Sequence, residues 1–322
     1  MENIYLAYQS MQQALQIEGI YPTDRVIGRG RPLTCAFTND FTPKLTASEA
    51  EYLCAQFGLT LPIHVLVPHA AYRRNSRYLH CHVWKGSTAA PFPCIDDGVM
   101  ACPPELHFLM MAQENNIQQQ VQLGFDLCGT YVRNAFWKEN EGRYDLTPRT
   151  NTTHLDEYVK SQKGANGVRR AQLALSYVQD NARSPKETDL AMGLGLPCVY
   201  GGESFGMPLM NQEILLPEDG RKLMGSSRCW CDLCWPEVKL DVEYNGYNYH
   251  RGRTNTTHDR ARELALATAG YKVITFSHAQ LMDGDQFDVV VKEIAKCFNK
   301  KVLHTSKKYE EQRKILREVI SG

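Results

Sequence analysis

Residues 231–250 read CDLCWPEVKLDVEYNGYNYH, and the fold is decided here. Apolar and β-branched residues on both sides of Trp235-Pro236 predict two strands, over residues 228–235 and 238–244, joined by a short turn. Each strand carries one carboxylate, Asp232 before the turn and Glu243 after it. Their spacing is compatible with a hairpin that sets the two side by side. Phosphodiester hydrolysis needs a divalent cation to neutralise charge on the phosphoryl group and to acidify the attacking water. Mg²⁺ takes oxygen ligands, so two carboxylates on adjacent rigid strands suit it. A single strand acid is more often just solvent-facing, so the pair has to be judged by its surroundings.

Working outward, residues 210–216 read as a further strand, and residues 217–225 as a turn-rich link. Before them, Ser184-Pro185 with Glu187 predicts a helix start: Ser as N-cap, Pro at the first position and Glu completing a capping box. That helix runs to about residue 192. After the acidic pair come a helix over 258–269 closed by Gly270, a strand over 272–276 (KVITF) and a helix over 286–298. The order α-β-β-β-α-β-α predicts a mixed sheet with helices on both faces, an α/β (α+β) class.

These residues resemble a known family. The segments SPKE at 184–187, CDLCWPEVKLDVEYNGYNYH at 231–250 and DRARELALATAGYKVITF at 259–276 are similar to the Vsr-like branch of the PD-(D/E)xK, restriction-endonuclease-like nucleases. Asp259, Arg262, Leu266 and Gly270 keep the family's Asp-x-x-Arg-x-x-x-Leu-x-x-x-Gly spacing. In the first segment Glu187 stands one residue closer to the proline than the family pattern has it. The resemblance implies a Mg²⁺- or Mn²⁺-dependent DNA endonuclease with Asp232 and Glu243 as metal ligands and Glu187 in support from the helix. It also implies His250 as general base or phosphate contact, since a near-neutral imidazole suits proton transfer. Asp259 and Arg262 would form a pair that orients the site. One departure bears on activity: Asn245 stands where the branch often has Asp and the superfamily Lys, and asparagine carries no charge and takes no proton. The alternative reading is therefore a catalytically inactive nuclease-fold protein that binds nucleic acid or regulates.

Arg228, Lys239, Arg251, Arg253 and Arg260 cluster near the acids in sequence and are the expected nucleic-acid contacts. Cys229, Cys231 and Cys234 invite zinc, but alternation puts the first two on one strand face and the third on the other, with no fourth ligand in sight. His80 and His82 share a strand face and want a third partner. The stretches LPIHVLVPHAAYRRNSRYLHCHVW (61–84) and GVMACPPELHFLMMA (98–112) resemble abortive-infection antitoxin-like proteins. That resemblance implies a recognition or regulatory module, with Arg73, Arg74 and Arg77 as contacts, and a role in phage defence or a toxin–antitoxin-like system. A protein partner or homodimer through this N-terminal module is also expected.

Helical spacing over 6–15, strands over 63–67 and 78–84, and helices over 103–111, 117–128 and 168–178 give the first part an α+β character, with 143–167 as a polar connection. The expected organisation is an α+β domain over 1–165, a nuclease-like domain over 166–299 and a basic helix or tail over 300–322. With 322 residues, 43% hydrophobic and 22% charged, the chain can bury two cores. Lys+Arg and Asp+Glu balance at 36 each, so any nucleic-acid contact must use a local basic patch. The start MENIYLAYQS lacks the basic and apolar run of an export signal, and the 11 cysteines follow no framework, so a reducing cytoplasm and no membrane are expected.

Overall fold

The structure is a computed structural model that describes residues 4–17, 20, 42–86, 92–133, 143–245, 254–301 and 306–321, with backbone alone at 254–258. The chain divides into two compact units, Met1–Ser176 and Tyr177–Gly322. Both combine helices with sheet, and the protein is of the α/β class. Among the described residues no helix is long and apolar enough to cross a membrane.

In the first unit, β1 (Ile4–Tyr5) leads into α1 (Tyr8–Ala14), and α2 (Ala47–Phe57) follows. Thr46 and Glu49 form the capping box of α2, each side chain meeting the other's backbone N–H, and Gly58 ends it with φ 60°. Then come β2 (Ile63–Val67), β3 (Leu79–Val83), β4 (Cys94–Asp96) and β5 (Val99–Met100). β1 pairs parallel with β5, and β5 antiparallel with β4. β2 and β3 form a separate parallel pair with Ile63 opposite Leu79, His64 opposite His80 and Leu66 opposite His82. Ile63, Val65, Val67, Leu79 and Cys81 are buried, which by the two-residue strand period puts His64, His80 and His82 together on the other face.

The helices of this unit are α3 (Pro104–Met111), α4 (Ile117–Cys128), α5 (Thr152–Ser161) and α6 (Val168–Leu175). α5 lies inside the stretch expected as connection. Asn151 caps it through its side chain, and Leu155, Tyr158 and Val159 are buried, so an i, i+3, i+4 apolar stripe prevails over the local Asn, Thr and Gly content. α6, expected with the nuclease-like domain, belongs to the first unit. Its Arg170 donates to the carbonyls of Ala112, Gln113 and Asn115 just past α3.

The second unit contains α7 (Pro185–Gly195), β6 (Leu209–Leu215), α8 (Glu218–Met224), β7 (Arg228–Trp235), β8 (Leu240–Asn245), α9 (Thr254–Thr268), β9 (Lys272–Ser277), α10 (His278–Met282), α11 (Gly284–Cys297) and α12 (Lys307–Ser321). Its four strands form one mixed sheet in the order β6-β7-β8-β9, antiparallel except for the last pair. A parallel neighbour cannot be reached by a tight turn, and α9 makes the crossover from β8 to β9. α8 replaces the expected loop over 217–225 and packs on α9: a Cβ on Gly220 would lie 2.6 Å from Thr268 Oγ1. α9 closes a core of Leu216, Cys229, Cys231, Cys234, Ala265, Leu266 and Tyr271.

All three cysteines share that core, against the expected split. The β6–β7 register is continuous, although no pairing is formed between Asn211 and Asp232, and Asn211 sits at φ 48°. The basic segment over 300–322 is also more than a solvated helix. Tyr309, Leu316 and Ile320 of α12 are buried, Tyr309 Oη donates to Glu203, and Arg313 pairs with Asp288.

Candidate functional site

β7 and β8 pair only from Leu233 to Trp235 and from Leu240 to Val242. Just past that ladder the strands part, and the Asp232 carboxylate accepts from the Tyr244 N–H at 3.3 Å. The side chain of Asp232 is thereby held beside Glu243 on the neighbouring strand. Asp241, two residues before Glu243 and so on the same strand face, is fully buried. Asp241 was not among the residues singled out from the sequence, although the alternation in LDVEY places it with Glu243.

The guanidinium of Arg262, from α9, lies among the three carboxylates. Its Nη1 forms an ion pair with Glu243 Oε1, its Nη2 is 4.0 Å from both Asp232 and Asp241, and its Nη2 also donates to the Trp230 carbonyl. One cation thus serves three acids. Both Asp241 oxygens and Glu243 Oε1 are fully buried, and Glu243 Oε1 touches Arg262 as an ion pair. Burial, then Glu243, pushes the Asp241 carboxyl up to about 9. Burial also raises Glu243 and Asp232, with Arg262 opposing in both cases. Burial works to lower the Arg262 pKa, but Glu243, Asp232 and Asp241 outweigh it and hold it above its ordinary value.

Glu187 stands at the start of α7, and burial followed by the Asp232 charge pushes it up to about 7. Its carboxylate accepts from Arg183 N at 3.0 Å, Ser184 Oγ at 3.0 Å and Asn211 Nδ2 at 2.7 Å. Ser184 caps the helix as expected, while Glu187 reaches back to Arg183 rather than to the N-cap N–H. Asn211, unrecognised in the sequence, therefore ties the irregular point of β6 to the acidic helix end.

Asp232, Glu243, Glu187 and Arg262 are thus brought together. Asp259 is exposed, and the described ion pairs of Arg262 run to the strand acids. Asn245 is exposed at the end of β8. Arg228 is exposed and pairs with Glu213 at 3.0 Å, and Arg260 is exposed. Lys239 lies at the opposite end of β8 from Asn245, over the Tyr271 ring at 4.7 Å. His250, Arg251 and Arg253 lie outside the described residues.

As the side chains stand, no group of three or more His, Cys, Asp or Glu among the described residues closes around a metal position. In the acidic cluster the physical reason is Arg262, whose guanidinium occupies the space between the carboxylates. The donor set itself suits a hard divalent ion: carboxylate oxygens from adjacent strands, some buried and unsatisfied.

No family model matches the chain. Two uncharacterized proteins of Mycobacterium tuberculosis, Rv2248 of strain H37Rv and MT2308 of strain CDC 1551, are each 23% identical to it over 122 residues. The match covers 38% of this chain and 40% of each relative's length. No solved structure matches.

Proposed function

We propose that the second unit is a divalent-cation-dependent endonuclease acting on DNA, as its resemblance to the Vsr-like PD-(D/E)xK branch implies. The observation that carries this reading is the gathering of Asp232, Asp241 and Glu243 at the parting of β7 and β8, with buried oxygens of Asp241 and Glu243 left unsatisfied. Among the described residues Arg262 alone compensates three acids here, and an unsatisfied buried group costs about 1–3 kcal/mol and more when ionised, so a divalent cation would be favoured at this point. Asp232 and Glu243 would hold Mg²⁺ or Mn²⁺, with Asp241 behind them and Glu187 supporting the metal or a second site from the helix side. The bound ion supplies charge neutralisation at the phosphoryl group and a more acidic water. Arg262 holds the carboxylates together until a cation shares them, and His250 is the base that the resemblance supplies. Arg228, Lys239, Arg251, Arg253 and Arg260 are the proposed contacts to the sugar–phosphate backbone, and the first unit is the proposed recognition module.

The test is nicking of supercoiled plasmid by the full chain with Mg²⁺ or Mn²⁺. Cleavage should need the metal and vanish in Asp232→Asn and Glu243→Gln. Cleavage by both variants at the wild-type rate would remove the acids from catalysis. A second reading, a nuclease-like fold that binds nucleic acid without cutting it, is favoured by the guanidinium seated between the acids and by the uncharged Asn245. Metal-independent DNA binding with no cleavage in either metal would select it.

A further inference from the structure

The first unit holds a cluster that the acidic site does not involve. His64, His80 and His82 lie on one face of the β2–β3 pair, and their ring centroids form a triangle with sides of 5.1, 5.0 and 4.7 Å. His82 Nε2 faces His64 Nδ1 at 3.0 Å. A tetrahedral ion at the Zn–N distance of 2.0–2.1 Å would hold neighbouring imidazole centroids roughly 5.2 Å apart and their ligating nitrogens roughly 3.3 Å apart. The triangle therefore already has the size of a three-histidine metal site. From the geometry we infer that His64, His80 and His82 bind a divalent transition-metal ion of the zinc class, with the fourth position left to water.

Several features support this assignment. Imidazole ligands favour zinc-class ions over Mg²⁺ or Ca²⁺, which distinguishes this cluster from the carboxylates of the second unit. The backbone fixes two of the strand positions: His64 N–H donates to Ser10 Oγ and Cys81 N–H, between the other two histidines, donates to Asn75 Oδ1, both at 2.8 Å. Tyr8 lies flat on the His82 ring, 3.9 Å between centroids and 20° between planes. It does so from a left-handed backbone, φ 47°, a conformation that bulky side chains rarely adopt. The rings do not yet converge on one point. The His64 and His82 nitrogens would part by a few tenths of an ångström and His80 would turn its ring toward them, both through the soft χ2 torsion of histidine.

An ion here would join β2 to β3. A two-stranded sheet is marginal in water, and parallel pairing is the weaker kind. Cross-strand ligands would fasten the pair directly, so part of the gain should appear as thermal stability.

The test uses the full chain without a polyhistidine tag, stripped with chelator and dialysed against micromolar Zn²⁺. One zinc per chain should bind, with a rise in the unfolding temperature. Co²⁺ in its place should give the visible absorption of a tetrahedral nitrogen site without the intense thiolate-to-cobalt band. His64→Gln and His82→Gln should each weaken binding by roughly 100-fold or more, because each removes one of three protein ligands. Failure of the wild-type chain to bind stoichiometric zinc would overturn the assignment, whatever the variants do. So would a thiolate band, or zinc lost on Cys231→Ala and Cys234→Ala but retained in the histidine variants.

Discussion

Replacing Arg262 by methionine keeps the aliphatic stem and removes the guanidinium lodged among Asp232, Asp241 and Glu243. Breaking a buried ion pair by deleting one partner costs about 3–5 kcal/mol, because the other charge stays buried and uncompensated. The side chains of Arg262 and Glu243 are 22% and 18% exposed, so water offsets part of this and the lower end, about 3 kcal/mol, applies. For a unit of this size that corresponds to roughly 10 °C in melting temperature. The loss should depend on pH. Asp241, Glu243 and Asp232 all have raised native pKa values, so the native state binds more protons than the unfolded chain. Their contribution to stability is fully present below the unfolded carboxyl values near 4 and is lost as pH rises through the native ones, for Asp241 up to about 9. Without Arg262 the native values rise further, so Arg262→Met should lose most at pH 8 and much less at pH 5. Millimolar Mg²⁺ or Mn²⁺ at pH 8 should restore part of the loss, since a ligand that binds only the native state stabilises it by mass action. Calorimetry of both proteins at the two pH values, with and without metal, measures all of this. A variant that melts within about 1 °C of wild type at pH 8 would refute the counter-ion role of Arg262.

The two metal-ligand candidates should separate on stability without metal: Glu243→Gln breaks the ion pair with Arg262 and should cost about 1–3 kcal/mol, whereas Asp232→Asn keeps an acceptor for Tyr244 N–H and should cost under 1. Urea unfolding in chelator distinguishes them, and equal losses would contradict the pairing. Glu187 has its native pKa raised to about 7, so its share of stability is present below about 4.3 and is gone above 7. The stability advantage of wild type over Glu187→Gln should therefore shrink from pH 5 to pH 8, and a gap that widens would show that the carboxylate is preferred in its charged form. Gly220→Ala should cost about 1–3 kcal/mol from the contact with Thr268 Oγ1, and Thr268→Ala should recover part of it. Additive losses in the double variant would mean that the two residues do not meet.

The strands of the second unit and their order could be read directly, because β-branched and apolar runs bounded by Pro, Gly and Asn have few other readings. Element bounds moved by a residue or two; the sheet contains all four expected strands. Asp241 was legible and passed over: the alternation that aligned Asp232 with Glu243 also puts residue 241 with residue 243. What the sequence hid was tertiary. α5 sits in a polar stretch whose apolar residues become a helical stripe only against a neighbour, and α8 meets α9 through Gly220. The common burial of Cys229, Cys231 and Cys234 is completed by Ala265 and Leu266 of α9 and by Tyr271, residues distant in the chain. His64 was hidden as the partner of His80 and His82 because parallel pairing joins residues far apart in the chain. Arg262 was placed by resemblance, but its role as shared counter-ion to the strand acids, rather than partner of Asp259, required the crossover helix to be in position.

That crossover has a kinetic side. β7 and β8 are neighbours in sequence and can pair early, whereas β9 reaches β8 only after α9 has crossed the sheet, a contact of longer loop and later reward. Arg262 rides on α9, so a hairpin formed ahead of the crossover gathers Asp232, Asp241 and Glu243 before their cation arrives. The repulsion within that hairpin is relieved when α9 docks. Electrostatics thereby bind the fate of the early hairpin to the late helix, and the half-built sheet, whose β8 edge is still open, is held back from outlasting its own completion.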